Sequence, residues 1–324
     1  MDKSQTQALW RRCQDVKQAI VASGGSATTA QSAASNEWNT ALCAGEGVSV
    51  DFSDYVFAEF ADFTGFRFPG FAKFECAHFT SGACFRDVAF SDYAIFERAR
   101  FFGRCTFASV AFPQSVSFRN AVFANAADFS YCRFPQGAFF RRTVYRGEAC
   151  FRGAAFSRLL NFNKATFEGK ADFRHASFGQ GEFCACHFRS EADFAETNFT
   201  GAGAILASRF DGETCFENAH FYSIMIAHYA HFRRAISFRG SVFANYTDFK
   251  NVRAERHADL SDTTFYGSFD LDDAELFGGV DFSNARICRD CSVEGATFPT
   301  GFVPPTASVD SPAPYRFGQR KLAR

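Results

Sequence analysis

Phenylalanine recurs along most of the chain at gaps of five and six residues that alternate, so the underlying period is eleven. The register runs from Phe52 to Phe178, loses one residue before Phe183, and then resumes as far as Phe298. Most of the exceptions are Tyr, Ile, Leu or Val, and only Ala227 and Ala254 lack a large side chain. A fixed period held over this length predicts a repeat architecture, in which each unit buries its apolar face against its neighbours.

A small residue, Ala or Cys, stands two positions before many of these aromatic residues, as in Ala61 before Phe63 and Cys105 before Phe107. Residues two apart in a strand point to the same face. The pattern therefore predicts short strands, each with a small and a large side chain facing inward. Many of the cysteines are then alanine substitutes.

Stretches such as Ala61-Asp62-Phe63-Thr64-Gly65, Ala127-Asp128-Phe129-Ser130 and Ala258-Asp259-Leu260-Ser261 resemble the motif of the pentapeptide-repeat family. That resemblance implies an all-β fold, a right-handed quadrilateral β-helix with four short faces per coil. The extra residue at every second corner gives about 22 residues per coil and about 11 coils. The family also implies that the Asp column bonds the corner backbone, and we prefer this role to a calcium ladder or a catalytic acid pair.

The ends of the chain differ from the repeat, and we divide the sequence into residues 1–48, 49–300 and 301–324. The first part predicts a short amphipathic helix over Ser4–Ser23 and a linker over Gly24–Ser35. Trp10 and Trp38 are assigned to a cap, because a solenoid needs its exposed edge covered. The repeat occupies the second part, and a proline-rich basic tail the third.

Composition restricts the possible classes of protein. The net charge of −1 gives no global field for nucleic acid, and no segment reaches the roughly 18 apolar residues of a membrane span. The twelve cysteines are dilute and fit reduced thiols, so we expect a cytoplasmic protein.

The sequence contains only weak candidates for metal-binding, anion-binding or catalytic motifs. Cys184-Ala-Cys186-His187 and Cys288-Arg-Asp-Cys291 contain zinc-ligand residue types. In the repeat register, however, Cys186 and Cys291 occupy the inward small site while Cys184 and Cys288 point outward, so we expect no metal, no cofactor and no catalytic residue. An outward column of His187, Arg209, His231 and Arg253 is either an anion-binding stripe or coincidence. Residues 223–229 form the most irregular part of the repeat, and such irregularity can mark function.

Charge is segregated along the sequence, so we expect partner-binding patches, although drift among solvated positions also explains it. The candidate basic patch consists of Arg141, Arg142, Arg146, Arg152, Arg158, Lys164, Lys170 and Arg174. The candidate acidic patch consists of Asp270, Asp272, Asp273 and Glu275.

These observations favour a non-catalytic, bacterial-type protein-interaction scaffold that binds protein rather than nucleic acid and that could also self-associate. Two alternatives stay open. Some pentapeptide-repeat proteins imitate duplex DNA and protect type II topoisomerases, and the resemblance extends to that possibility. The polar residues 1–36 could also act as an unfolded export signal of a secreted effector.

Overall fold

Two-residue strands stack in parallel along four columns, which we call faces one to four in the order in which the chain reaches them from Val56 onward; the first strand, Val50–Asp51, belongs to face four. The computed structural model describes residues 1–43 and 47–300. Successive strands of a column are 22 residues apart, as in Ala61 paired with Ala83 and Ala83 paired with Cys105. The predicted four-faced solenoid of about 22 residues per coil is therefore confirmed.

Faces one and two each form a sheet of eleven strands. The strands of face one are Val56–Phe57, His78–Phe79, Arg100–Phe101, Val122–Phe123, Val144–Tyr145, Thr166–Phe167, His187–Phe188, Arg209–Phe210, His231–Phe232, Arg253–Ala254 and Glu275–Leu276. The strands of face two are Ala61–Asp62, Ala83–Cys84, Cys105–Thr106, Ala127–Asp128, Ala149–Cys150, Ala171–Asp172, Ala192–Asp193, Thr214–Cys215, Ile236–Ser237, Ala258–Asp259 and Val280–Asp281.

Faces three and four are joined by two longer strands, Ala155–Asn161 and Ser177–Glu182, which run through the corner between them. The other strands of face three are Arg67–Phe68, Ala89–Phe90, Arg133–Phe134, Asn198–Phe199, His220–Phe221, Val242–Phe243, Thr264–Phe265 and Arg286–Ile287. The other strands of face four are Val50–Asp51, Ala72–Lys73, Ala94–Ile95, Val116–Ser117, Gly137–Phe139, Gly203–Ala204, Met225–Ile226, Thr247–Asp248, Phe269–Asp270 and Cys291–Ser292.

The one-residue deletion lies at the corner between these two long strands. Phe156 still pairs with Phe178, but Leu159 pairs with Gln180, so the spacing falls from 22 to 21 residues inside one corner. The rings of Phe162 and Phe183 still stack, 5.3 Å apart at 16°. The corner therefore absorbs the deletion, and the column of rings continues through it.

The geometry of the corners explains why the gaps between successive phenylalanine positions alternate between five and six residues. After faces two and four, the corner contains one residue with positive φ every eleven positions, as at Asp87 (55°), Arg98 (58°) and Ser109 (65°). The left-handed conformation turns the chain tightly, so these corners span the shorter gap. Corners after faces one and three take one residue more.

Stacked rings fill the interior. Phe85 stacks on Phe107 with centroids 4.4 Å apart and planes 7° from parallel, and it meets Phe96 of its own coil edge to face at 5.5 Å. Both arrangements are favourable for aromatic pairs. The large side chains of each coil thus pack mainly on those of the coils above and below.

Two helices, Lys3–Ala22 (α1) and Ala27–Leu42 (α2), cover the first coil. The prediction of a linker over Gly24–Ser35 is wrong beyond Ser26, because Ser26 caps α2 by accepting a hydrogen bond from the Thr29 amide at 3.0 Å. Alanine-rich sequence without internal glycine or proline favours a helix. The predicted tail, residues 301–324, lies outside the described residues.

Candidate interaction surface

The cysteines that face the interior of the solenoid are part of its core. Cys105, Cys132 and Cys186 occupy the small inward position and are buried. The Cys132 thiol donates to the Phe107 carbonyl at 3.0 Å, and burial raises its pKa well above the usual range. A raised pKa disfavours the thiolate, which is the nucleophilic and metal-binding form. These cysteines therefore behave as small apolar residues.

The outward Asp column of face two has the backbone role that the resemblance implied. Asp62 accepts a hydrogen bond from the Thr64 amide at 3.0 Å, and Asp128 accepts one from the Ser130 amide at 3.0 Å. Asp259 does the same for the Ser261 amide at 2.9 Å. Each carboxylate satisfies an amide two residues ahead, which stabilises the corner.

The zinc-like motif is split by the strand geometry. Cys186 faces the core, where its thiol donates to the Phe162 carbonyl at 3.1 Å, whereas the His187 imidazole lies 2.7 Å from Asp211 on face one. Within residues 1–43 and 47–300, no three His, Cys, Asp or Glu side chains are grouped so that they could hold a metal ion.

The outward column that begins at His187 is an ion-pair network rather than an open cationic stripe. Asp211 lies 2.7 Å from His187 and 2.8 Å from Arg209, and Glu255 lies 2.8 Å from His231. Burial is the largest effect on the Asp211 pKa and raises it, but hydrogen bonds from His187 and Arg209 bring it down to about 2. The carboxylates thus neutralise the column locally.

The eight residues of the candidate basic patch are spread over several sides of the coil. Arg152 and Arg174 follow face two and both pair with Asp172, at 3.2 and 2.7 Å. Lys170 pairs with Glu191 at 2.7 Å. These three charges are therefore partly neutralised where they stand.

The other five basic residues are exposed and form no ion pair within the described part of the chain. Arg141, Arg142 and Lys164 follow face four on two adjacent coils and lie together, whereas Arg146 follows face one and Arg158 follows face three. On the coil before Arg141, the Arg119 guanidinium lies over the Phe139 ring of face four at 4.8 Å. A positive region thus remains along face four.

Three members of the candidate acidic patch also lie on face four or its corner. Asp270 and Asp272 hold Lys250 at 2.9 and 3.5 Å, and the exposed Asp273 stands beside them. Glu275 instead points outward from face one, where it pairs with Arg253. Exposed Asp290 and Glu294 extend the negative region to the next coil.

An apolar surface lies between these two charged regions, on two neighbouring coils of face four. The predicted charge patches do not include it. Leu206 is 37% exposed, Ile224 38% and Tyr229 62%. Ala204 pairs directly with the half-buried Ile226, so the surface is continuous across the two coils. The irregularity of residues 223–229 was the only sequence signal for it.

The exposed side chains of face four therefore change along the rod from basic to apolar to acidic, and the less exposed Glu182 and Asp248 flank the apolar surface on its two sides. We call these three regions the basic end, the apolar centre and the acidic end. The basic end contains Arg119, Arg141, Arg142 and Lys164, the apolar centre Ala204, Leu206, Ile224, Ile226 and Tyr229, and the acidic end Asp270, Asp272, Asp273, Asp290 and Glu294.

The stacked parallel coils with four strand faces define a β-solenoid. Residues 227–275 match the family model for pentapeptide repeats (9 copies), and the same strand register continues through the coils on both sides of this segment. The matched segment and the β-solenoid around it are together consistent with a pentapeptide-repeat protein. Comparisons with curated proteins and with solved structures give no match.

None of the helices described in residues 1–43 and 47–300 has the length and apolar character needed to cross a membrane.

Proposed function

We propose that this chain is a non-catalytic interaction scaffold of the pentapeptide-repeat family that binds protein through face four. The observation that supports the proposal most directly is the apolar centre. Contiguous exposed apolar side chains between polar regions are typical of protein-binding surfaces. On this rod they stand on a rigid support, because the core behind Ile224 and Ile226 is filled by Met225 and its neighbours.

The charged ends add specificity to the apolar centre. The exposed Arg141, Arg142 and Lys164 and the exposed Asp273 and Glu294 are unpaired within residues 1–43 and 47–300, so they are available to a partner. Charged rims steer association and fix orientation more than they add affinity. We therefore expect a partner that covers the apolar centre and matches both ends.

The proposal is tested by protein capture on immobilised chain. We expect Leu206→Asp combined with Ile224→Asp to lose the partners that the wild type retains, because both side chains stand in the apolar centre. The matched control is Phe60→Asp combined with Phe102→Asp, which removes two apolar side chains of 51% and 47% exposure near faces two and one. Equal retention by both variants would exclude face four as the binding side.

A second candidate function, imitation of DNA, is favoured by one local feature. Two coils of face two carry five acidic residues and no basic one: Glu191, Asp193, Glu196, Glu213 and Glu217. Purified gyrase provides the test, since a mimic would change supercoiling at excess protein and an unrelated scaffold would not. Lys170 and Arg174 partly neutralise this region, at 2.7 Å from Glu191 and 3.3 Å from Asp193, so we rank it below the scaffold.

Of the remaining expectations, we propose a cytoplasmic location, which is supported by cysteines that fill the small inward site of the repeat. The effector alternative gains no support from the N-terminus. Residues 1–36 fall largely within α1 and α2, and Trp10 is buried against Phe63 with ring centroids 4.6 Å apart.

A further inference from the structure

We infer that the partner of face four is a second copy of this chain, bound side by side and antiparallel. The inference rests on the proposed function and names the occupant of the surface. Three properties of face four lead to it: the apolar centre, the opposite charges at its two ends, and the equal spacing of those ends from the centre.

The apolar centre occupies two adjacent coils, so a two-fold axis can pass between them. The axis would lie in the plane of the interface, perpendicular to the long axes of the two rods. Rotation about it reverses the direction of the rod and keeps each column of face four opposite the same column in the other copy. The coil of Ala204 and Leu206 in each copy would then pack on the coil of Ile226 and Tyr229 in the other copy. Such an isologous contact needs only one self-complementary surface.

The residues with positive φ that follow face four form one column, and this column shows that the two charged ends are equally far from the apolar centre. Lys164 stands two coils before Ala207, and Asp273 stands two coils after Tyr229. The two-fold axis between Ala207 and Tyr229 therefore places Lys164 opposite Asp273 of the other copy. Arg142 stands one coil further out and meets Gly295, the neighbour of Glu294.

The column of Leu206 and His228 has the same complementarity, since the axis between these two residues places Arg141 opposite Glu294 and Asn163 opposite Asp272. The strand column of Ala204 and Ile226, by contrast, places Glu182 opposite Asp248, whose carboxylate already pairs with His228 of its own chain at 2.5 Å. A parallel arrangement would instead bring the two basic ends together and the two acidic ends together. Like charges directly opposite each other are unfavourable, so the charge pattern selects the antiparallel arrangement.

The size of the surface predicts a weak complex. Eight coils at about 4.8 Å give a length of about 38 Å, and a face about 10 Å wide gives roughly 400 Å² per copy. Stable complexes bury about 800 Å² per partner. We therefore expect a reversible dimer that forms at high micromolar concentration and weakens as salt screens the charges.

The test is sedimentation velocity on the purified full chain, from micromolar to about 0.5 mM protein, at low salt and at about 1 M salt, where the Debye length is about 3 Å. We expect the wild type to dimerise with rising concentration, and less so at high salt. A wild type that stays monomeric at every concentration would overturn the inference.

Charge reversal identifies the surface. One variant carries Arg141→Glu, Arg142→Glu and Lys164→Glu, and the other carries Asp273→Lys, Asp290→Lys and Glu294→Lys. Each alone should dimerise at least tenfold more weakly, because both of its ends then carry the same sign. Mixed together they should form a heterodimer, since every end again meets its opposite; failure of the mixture to associate would overturn the antiparallel arrangement.

Arg146→Glu combined with Arg104→Glu serves as the control, since both residues are exposed and lie next to faces one and two. This variant should dimerise like the wild type, and circular dichroism checks that all variants fold. If the purified chain stays monomeric while capture still depends on Leu206 and Ile224, the dimer is excluded and the scaffold stands. If face-four substitutions affect neither measurement, both proposals fail.

Discussion

Asn39 of α2 and Arg67 of the first coil are joined by a hydrogen bond that replaces a missing strand. The Arg67 amide donates to Asn39 Oδ1 at 2.8 Å, and Asn39 Nδ2 donates to the Gly65 carbonyl at 3.1 Å. In later coils an amide at this position donates to the preceding coil, as Ala89 does to Phe66. The helix side chain thus takes the place of a coil that does not exist.

Neighbouring contacts extend the same role along α2. Gln31 Nε2 donates to the Asp62 and Thr64 carbonyls, both at 3.1 Å, and Trp38 Nε1 donates to the Arg67 carbonyl at 3.0 Å. An exposed strand edge is a template for aggregation, so these bonds both satisfy and hide the edge. Trp38 also lies in the core, stacked on Phe52 with centroids 5.8 Å apart.

We expect Asn39→Ala to destabilise the docking of α2 by about 1 kcal/mol, because it removes two hydrogen bonds at a site that is partly open to solvent. Denaturant titration followed by tryptophan fluorescence measures this directly, since both tryptophans of the chain lie in the two helices. Thr40→Ala, at an exposed position of the same helix, is the matched control. Equal midpoints for the two variants would contradict the edge-capping role.

The helical end also shows where sequence reasoning failed. Trp10 and Trp38, which the sequence assigns to a cap, contact Phe63 and Phe52 of the first coil. The Gly, Ser, Ala and Thr composition of Gly24–Ser35 predicts a linker, yet residues 27–35 lie in α2. Their helix is stabilised by contacts with the first coil, and a sequence pattern does not show such contacts.

Tyr145 interrupts the phenylalanine column with a buried hydroxyl that has no hydrogen-bond partner among the described residues. Its ring stacks on Phe123 and Phe167 at 5.0 and 4.9 Å, and burial raises the pKa of the phenol well above its usual range. We expect Tyr145→Phe to raise the free energy of unfolding by about 1 to 2 kcal/mol, because it removes an unsatisfied polar group. Urea titration followed by circular dichroism is the measurement.

The reverse substitution, Phe123→Tyr, supplies the control for Tyr145. It adds a hydroxyl to the same column at a fully buried position. We expect it to lower the free energy of unfolding by a similar amount. A stabilising effect of the added hydroxyl would mean that the column tolerates polar groups, and the explanation for Tyr145 would fail.

Thiol reactivity should separate the cysteines by face. Cys43 is exposed, whereas Cys105, Cys132 and Cys186 are buried and have a raised pKa through burial. We expect iodoacetamide to label Cys43 in the folded protein and to leave the other three unmodified until the solenoid unfolds. Mass spectrometry of timed digests locates the label. Early modification of Cys105 would show that its coil opens locally.

The candidate surface was predictable in part. The spacing of 22 residues, and of 21 across the deletion, assigns each outward residue to a column, so Arg142, Lys164 and Asp273 could have been aligned from the sequence. The predicted charge patches follow continuous stretches of sequence instead, which mix all four faces and group Glu275 with Asp273. Ion pairs such as that of Lys170 and Glu191 depend on rotamers, which periodicity does not determine.

Asp211 gives the surface network a defined pH dependence. Its pKa of about 2 lies below the usual value near 3.8, so the charged carboxylate stabilises the folded state above about pH 4. That stabilisation is lost as the pH falls from about 4 to about 2, where the folded protein takes up the proton. We expect Asp211→Asn to reduce the free energy of unfolding by about 1 kcal/mol at neutral pH, a value kept small because the site is partly solvated, and by nothing near pH 2.

Urea titrations of the wild type and Asp211→Asn at several pH values measure that difference. Asp87→Asn, a substitution at an exposed corner, is the control and should differ little from the wild type at any pH. Persistence of the Asp211→Asn effect at pH 2 would assign it to lost packing. Its disappearance would assign it to the charge held between His187 and Arg209, which are 2.7 and 2.8 Å from the carboxylate.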